Sequence, residues 1–165
     1  MALIVEDGTA KVDSQTYATV AELRAYAALR GSTVPAGDPA CEVLLVKAMD
    51  YLHGQDFIGE RRTKEQALDW PRYDAVIEWW PVNDNEIPRQ LVQAQCALAI
   101  EAQTVDLLPT LPVGQKGVVV SESVAGAVSV AYANPDHVRN LPAMAKAMAL
   151  LRLLLRNRGM YAVRT

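Results

Sequence analysis

The chain's apolar positions follow two periods, and these divide it into helical stretches and one β-like stretch. Residues 2–6 (ALIVE) suit a short strand that runs into a polar turn at Asp7-Gly8. Thr19-Val-Ala-Glu22 has the spacing of a capping box and Gly31 closes the periodic run, which predicts a helix over about 20–30. A second helix is expected to be capped by Asp38, with Pro39 at its first position and Gly54 closing it. Within it Cys41, Leu44, Leu45, Ala48 and Leu52 recur on one face. Thr63-Lys-Glu-Gln66 repeats the box and predicts a short helix that must stop at Trp70, because Pro71 follows. After Pro88 an alanine-rich helix keeps Leu91, Ala94, Leu98 and Val105 at helical spacing until Pro109.

The β-like stretch, KGVVVSESVAGAVSVAY, alternates on both sides of Ala125-Gly126 and predicts a hairpin over about 116–133. A lone two-stranded hairpin is marginal in water, so a helix or a neighbouring subunit must cover it. The last periodic run predicts a helix over about 142–157, followed by a tail at 158–165. On a helical wheel Leu153, Leu150, Leu154, Ala147, Leu151, Met144, Leu155 and Met148 span more than half the circumference, with Arg152 and Arg156 on the remaining strip. Packing on one core usually needs an apolar arc of only about 100°. The wider arc suggests a second packing partner, and in a chain of this size that partner is expected to be another protein.

Between the third and fourth helical patterns lies an arm, about 71–87, whose segment LDWPRYDAVIEWWPVNDNEIP holds Trp70, Trp79 and Trp80, with Pro71, Pro81 and Pro88. Trp70 ends its segment and is expected to plug the core. Adjacent residues of an extended backbone point to opposite sides. One of Trp79 and Trp80 can then pack inward while the other meets a neighbour, as aromatic anchors do at interfaces.

Composition adds bounds. With 165 residues, 51% of them hydrophobic and 21% charged, one domain with a real core is expected. Apolar runs stay short of the roughly 18 residues that a membrane span needs. MALIVEDG has no basic region of the kind a signal peptide carries. Cys41 and Cys96 lie among apolar neighbours and read as buried, inert thiols. The net charge of −3 is polarised: after Asp136 come Arg139, Lys146, Arg152, Arg156, Arg158 and Arg164 and no acid, leaving 10 basic and 19 acidic residues before them. Such a chain suits a polyanion, or the acidic region of a second copy.

Catalytic patterns do not assemble. GxSxG and HExxH are missing, GQKG at 114–117 lacks the form of a phosphate-binding loop, and His53 and His137 stand alone. His53, at a helix end, reads as a C-terminal cation or hydrogen-bonding partner. Asp84-Asn85-Glu86 reads as acids at a helix N-terminus and has too few ligands for a calcium loop. No enzyme activity, metal or cofactor is expected. Single-strand binding pairs stacking aromatics with a basic groove, whereas here the tryptophans sit among Asp69, Asp74, Glu78, Asp84 and Glu86.

Several segments in order, IVEDGT, SQTYATVAELRAYAALRG, LLVKAMDYLHG, EQALDWPR, IPRQLVQAQCALA and SESVAGAVSVAY, resemble a tailed-phage family labelled DnaT-like single-stranded-DNA-binding protein. The resemblance covers roughly 3–133, and LxWPR followed by IPxxLxxA is its most distinctive pair. Its neighbours in fold look like head–tail connector (adaptor, head-completion) proteins. The resemblance therefore implies a mainly α fold: a small helical bundle with an inserted β-hairpin and a Trp/Pro-rich arm. It implies a structural subunit of the virion neck, made in the host cytoplasm. Copies would form a dodecameric ring between the portal protein and a tail-side neck or tail-terminator protein, around passing genomic dsDNA, with no membrane contact. Interface residues expected toward another subunit or the portal are Trp79, Trp80, Met144, Met148, Leu151, Leu155, Arg152, Arg156, Arg158 and Tyr161. The alternative is a single-stranded-DNA-binding replication accessory protein.

Overall fold

The computed structural model describes residues 3–109, 119–124, 128–132 and 144–156. They fall into two compact units, Met1–Leu107 with Met144–Thr165, and Leu108–Ala143. Among the described residues the first unit holds four helices: α1 (Val20–Ala28), α2 (Asp38–His53), α3 (Arg89–Glu101) and α4 (Ala145–Leu151). It also holds two short antiparallel pairs, β1 (Glu60–Arg61) with β2 (Arg72–Tyr73), and β3 (Val76–Ile77) with β4 (Trp80–Pro81). The second unit contains the antiparallel pair β5 (Val119–Val124) and β6 (Val128–Tyr132), with Val124 opposite Val128. The fold is thus mainly helical, and β5–β6 forms where period-two alternation predicts it. The Ala125-Gly126 turn lies outside the described residues.

Local capping chemistry fixes most helix ends. Thr19 Oγ1 accepts from Glu22 N at 3.1 Å while the Glu22 carboxylate accepts from Thr19 N at 2.7 Å, so α1 begins with a complete capping box. In α2 the expected cap shifts by one residue: Gly37 is the N-cap, Asp38 is already helical, and its carboxylate pairs with Arg24 at 2.7 Å. α3 packs on α1, α2 and α4. Its alanines Ala94, Ala97 and Ala99 are buried, which permits close approach.

Three sequence expectations are corrected. Residues 2–6 form no strand among those described; Val5 makes one isolated bridge to Thr16, and Glu6, 3% exposed, turns inward. Its carboxylate accepts backbone N–H bonds from Gly8, Ala10 and Lys11 and the hydroxyl of Ser14. Four donors meet its two oxygens, so the loop folds around a buried carboxyl group instead of extending. The Thr63–Gln66 box forms, at 2.8 and 3.1 Å, but no helix follows it. Gln66 Nε2 instead donates to the carbonyls of Leu68 and Pro71, and the seven residues between Thr63 and Pro71 are too few to offset helix nucleation. Finally, α4 ends at Leu151 instead of Asn157. Leu155 pairs with Phe57, Ile58 N donates to Leu154 O, and Arg156 N donates to Asp56 O. That ladder replaces the last helical turn and buries Leu154 completely. The wheel drawn through residue 157 therefore does not apply beyond Leu151.

The LDWPR segment is architectural. Trp70 is fully buried and meets Phe57 edge-on with ring centroids 6.3 Å apart, and its backbone N–H donates to the Tyr17 hydroxyl at 2.9 Å. Arg72 donates to the carbonyls of Ile58, Asp69, Phe57 and Gly59. Burial pushes its guanidinium pKa down, against the pull of nearby Asp69. Gly59 completes this clamp, because a Cβ there would run into the Tyr73 carbonyl and its φ is +71°.

Candidate functional site

The arm is a hairpin. Val76 faces Pro81 and Ile77 faces Trp80, leaving Glu78 and Trp79 as a two-residue turn. Both turn residues lie in the left-handed region, at φ 49° and 74°. Two-residue hairpin turns of this hand favour Asn-Gly, since a Cβ costs roughly 1–2 kcal/mol per residue there. Side chains that a turn would avoid are held at its tip. Trp79 is 96% exposed and Trp80 76% exposed. The expected inward–outward split of the two indoles does not occur, because Trp79 sits in a turn and not in extended backbone. At the base, Val82 N donates to Ala75 O at 2.8 Å, and buried Ala75 packs beside Gly59. Asp74 and Glu78 make no hydrogen bond or ion pair among the described residues, so the tip is aromatic and acidic.

The remaining expected interface residues separate. Met144 and Leu151 are buried within their own unit's core. Met148, Arg152, Leu155 and Arg156 come together around a shallow depression of about 310 Å³. Met148 is half-exposed, with its sulfur 3.8 Å from the Tyr51 hydroxyl. Arg156 is engaged within the chain, donating to Gly59 O and Glu60 Oε1, each at 2.8 Å, with Asp56 4.0 Å away. Arg158 and Tyr161, like His137, Arg139 and the GQKG segment, lie outside the described residues.

One feature escaped the periodicity reading. Tyr26, Arg30, Ala97, Ile100, Lys146 and Leu150 line a groove of about 510 Å³ between the C-terminal ends of α1 and α3 and the length of α4. The Arg30 guanidinium lies 3.5 Å over the Tyr26 ring. The i,i+4 spacing of Tyr26 and Arg30 is the sequence signal for that pair.

Among the described residues no group of three or more His, Cys, Asp or Glu could hold a metal. His53 Nδ1 lies 3.0 Å from Asp69 Oδ2, and that hydrogen bond raises the imidazole pKa at the C-terminal end of α2. Cys41 and Cys96 are buried and unpaired, and burial pushes the Cys96 thiol up to about 12. No described helix is long and apolar enough to cross a membrane.

A family model described as "Putative DnaT-like ssDNA binding protein" matches residues 1–165. The chain belongs to that family. Neither a curated protein nor a solved structure gives a match. In this DnaT-like chain the distinctive LDWPR segment serves the core, and the exposed aromatic chemistry lies in the hairpin that follows.

Proposed function

We propose that this chain is a non-catalytic assembly subunit that contacts neighbouring protein through its tryptophan arm. The observation that carries the reading is Trp79 and Trp80 held almost fully exposed at the tip of a hairpin whose turn residues are both non-glycine at positive φ. Local strain of this kind points to a use for the side chains presented. Large exposed indoles are the residues that act as interface anchors. Asp74 and Glu78 beside them repel phosphate and suit a cationic protein surface. In the setting implied by the phage resemblance, the assembly is a ring of the head–tail connector type, joined to portal and tail-side neck proteins in the virion.

The family description favours a second reading, a single-stranded-DNA-binding accessory protein. One set of measurements separates the two. Assembly predicts oligomers by native mass spectrometry, from concentrated protein or with the cognate portal protein added, and no fluorescence change with oligonucleotide. Monomers under both conditions would remove the assembly reading. Saturable quenching of the exposed tryptophans by single-stranded oligonucleotide at low salt, fading steeply as salt rises, would put DNA binding in its place.

A further inference from the structure

The arm carries the acids Asp74 and Glu78 and the groove the cations Arg30 and Lys146, and the two belong to different ends of the same unit. The arm enters α3 at its N-terminal end through Pro88, and its base is fastened beside Gly59. The groove lies at the other end of α3, at Ala97 and Ile100. The 13 residues of α3 make about 20 Å of helix at 1.5 Å per residue. A hairpin with two residues per strand reaches only about 10 Å beyond its base, so an arm does not fill its own groove. We propose that the arm of one copy, led by Trp79, docks into the groove between α1, α3 and α4 of a second copy.

The chemistry matches part by part. A space of about 510 Å³ accommodates a bulky side chain together with its neighbour. Ala97, Ile100 and Leu150 supply apolar walls, and the Arg30 guanidinium stacked on Tyr26 is the kind of surface on which an indole packs. Arg30 and Lys146 oppose the arm's Asp74 and Glu78, while Glu101 at the rim can accept the indole N–H. Neither Arg30 nor Lys146 has an acidic partner among the described residues. Knob and pocket on different surfaces of one chain make a heterologous contact, which closes into a ring when the rotation permits. The docking rests on the assembly reading above and specifies its contact.

Site-specific photocrosslinking tests it. Trp79→p-benzoylphenylalanine keeps a large aromatic group at the tip, and mixing ordinary with ¹⁵N-labelled protein identifies links between copies. Expected are mixed-isotope crosslinks from position 79 to peptides containing residues 26–32, 97–101 or 146–150. Arg30→Glu with Lys146→Glu should lower their yield about tenfold, the loss expected for an interface anchor. Asp74→Lys with Glu78→Lys on the arm should restore it. The emission of buried Trp70 reports that each variant is folded.

Crosslinks confined to other surfaces or to the same copy overturn the docking, as does a yield indifferent to charge reversal. If native mass spectrometry of the wild-type chain still shows oligomers, assembly stands and only this contact falls. Absence of both crosslinks and oligomers removes both proposals.

Discussion

Gln95 is fully buried in the middle of α3, and its replacement by leucine should be among the most damaging conservative changes in the chain. Its Oε1 accepts from Tyr17 N and Ala18 N, each at 3.0 Å, and its Nε2 donates to Thr16 Oγ1 at 2.7 Å and Leu45 O at 3.2 Å. One amide thus joins the segment before α1 to both α2 and α3. Leucine has nearly the same volume, so little cavity forms and the cost falls on the partners. Leu45 O keeps its helical donor inside α2, and Thr16 Oγ1 still donates to Ala18 O. Ala18 N retains a longer bond to Thr16 Oγ1 at 3.2 Å, while Tyr17 N–H is left without an acceptor in the core. One orphaned donor and one weakened donor, at about 1–3 kcal/mol for a full orphan, give a loss of about 2–4 kcal/mol. Urea unfolding followed by Trp70 emission should show the midpoint of Gln95→Leu falling by roughly 1–2 M with the slope unchanged. A loss below about 1 kcal/mol would refute the reasoning, because the amide would then not be what joins these elements.

Three further outcomes are expected. Glu78→Asn with Trp79→Gly relieves two left-handed residues and should raise stability by about 1 kcal/mol while abolishing oligomers; a drop in thermal midpoint, or unaltered assembly, would count against the strained-arm account. His53→Ala should cost stability in acid and little in alkali: the folded-state pKa is raised, so the stabilisation is fully present below the unfolded value of about 6.5 and lost as pH rises through the folded value. The pair is partly exposed, so the effect stays under about 1 kcal/mol, and urea midpoints that diverge more at alkaline than at acid pH would contradict it. Cys41 and Cys96 should resist a thiol reagent in the native state and react on unfolding, because both are buried and Cys96 holds its proton to about 12; fast native labelling would show that the core opens.

What was legible in the sequence is what local chemistry decides. The capping box of Thr19 and Glu22, the prolines at the starts of α2 and α3, and the alternation around β5–β6 act within a few residues, and each formed where expected except that the cap of α2 moved by one residue. Trp70 could be placed in the core because Pro71 halts its segment. Gln95 and Arg72 escaped because their partners lie elsewhere in the chain, and Glu6 escaped because its loop partners follow no helical or strand period. Gln95 joins residues 50 to 79 positions away, and Arg72 ties down a loop 13 to 15 positions before it. A polar residue at the buried spacing Leu91, Gln95, Leu98 was the available signal. α4 was overextended for the same reason, since Leu154 and Leu155 continue the helical period while their backbone is claimed by Phe57 and Ile58.

The charge polarity read from the sequence also changes meaning in three dimensions. Of the basic residues after Asp136, Lys146, Arg152 and Arg156 lie among the described ones, and Arg156 is matched by Asp56 and Glu60 of its own chain. It is therefore a positioning residue for the loop beside Gly59, and its charge is not available to a distant partner at full strength. Lys146 stands apart: it joins Arg30, from well before Asp136, at the groove. The two cations of the groove thus come from both parts of the sequence, and a tally of charges along the chain cannot reveal their meeting. If the arm instead sought nucleic acid, its acids would oppose every phosphate brought near the indoles. The aromatic tip and acidic flank cooperate only when the partner offers cations and an apolar recess together, as the groove does.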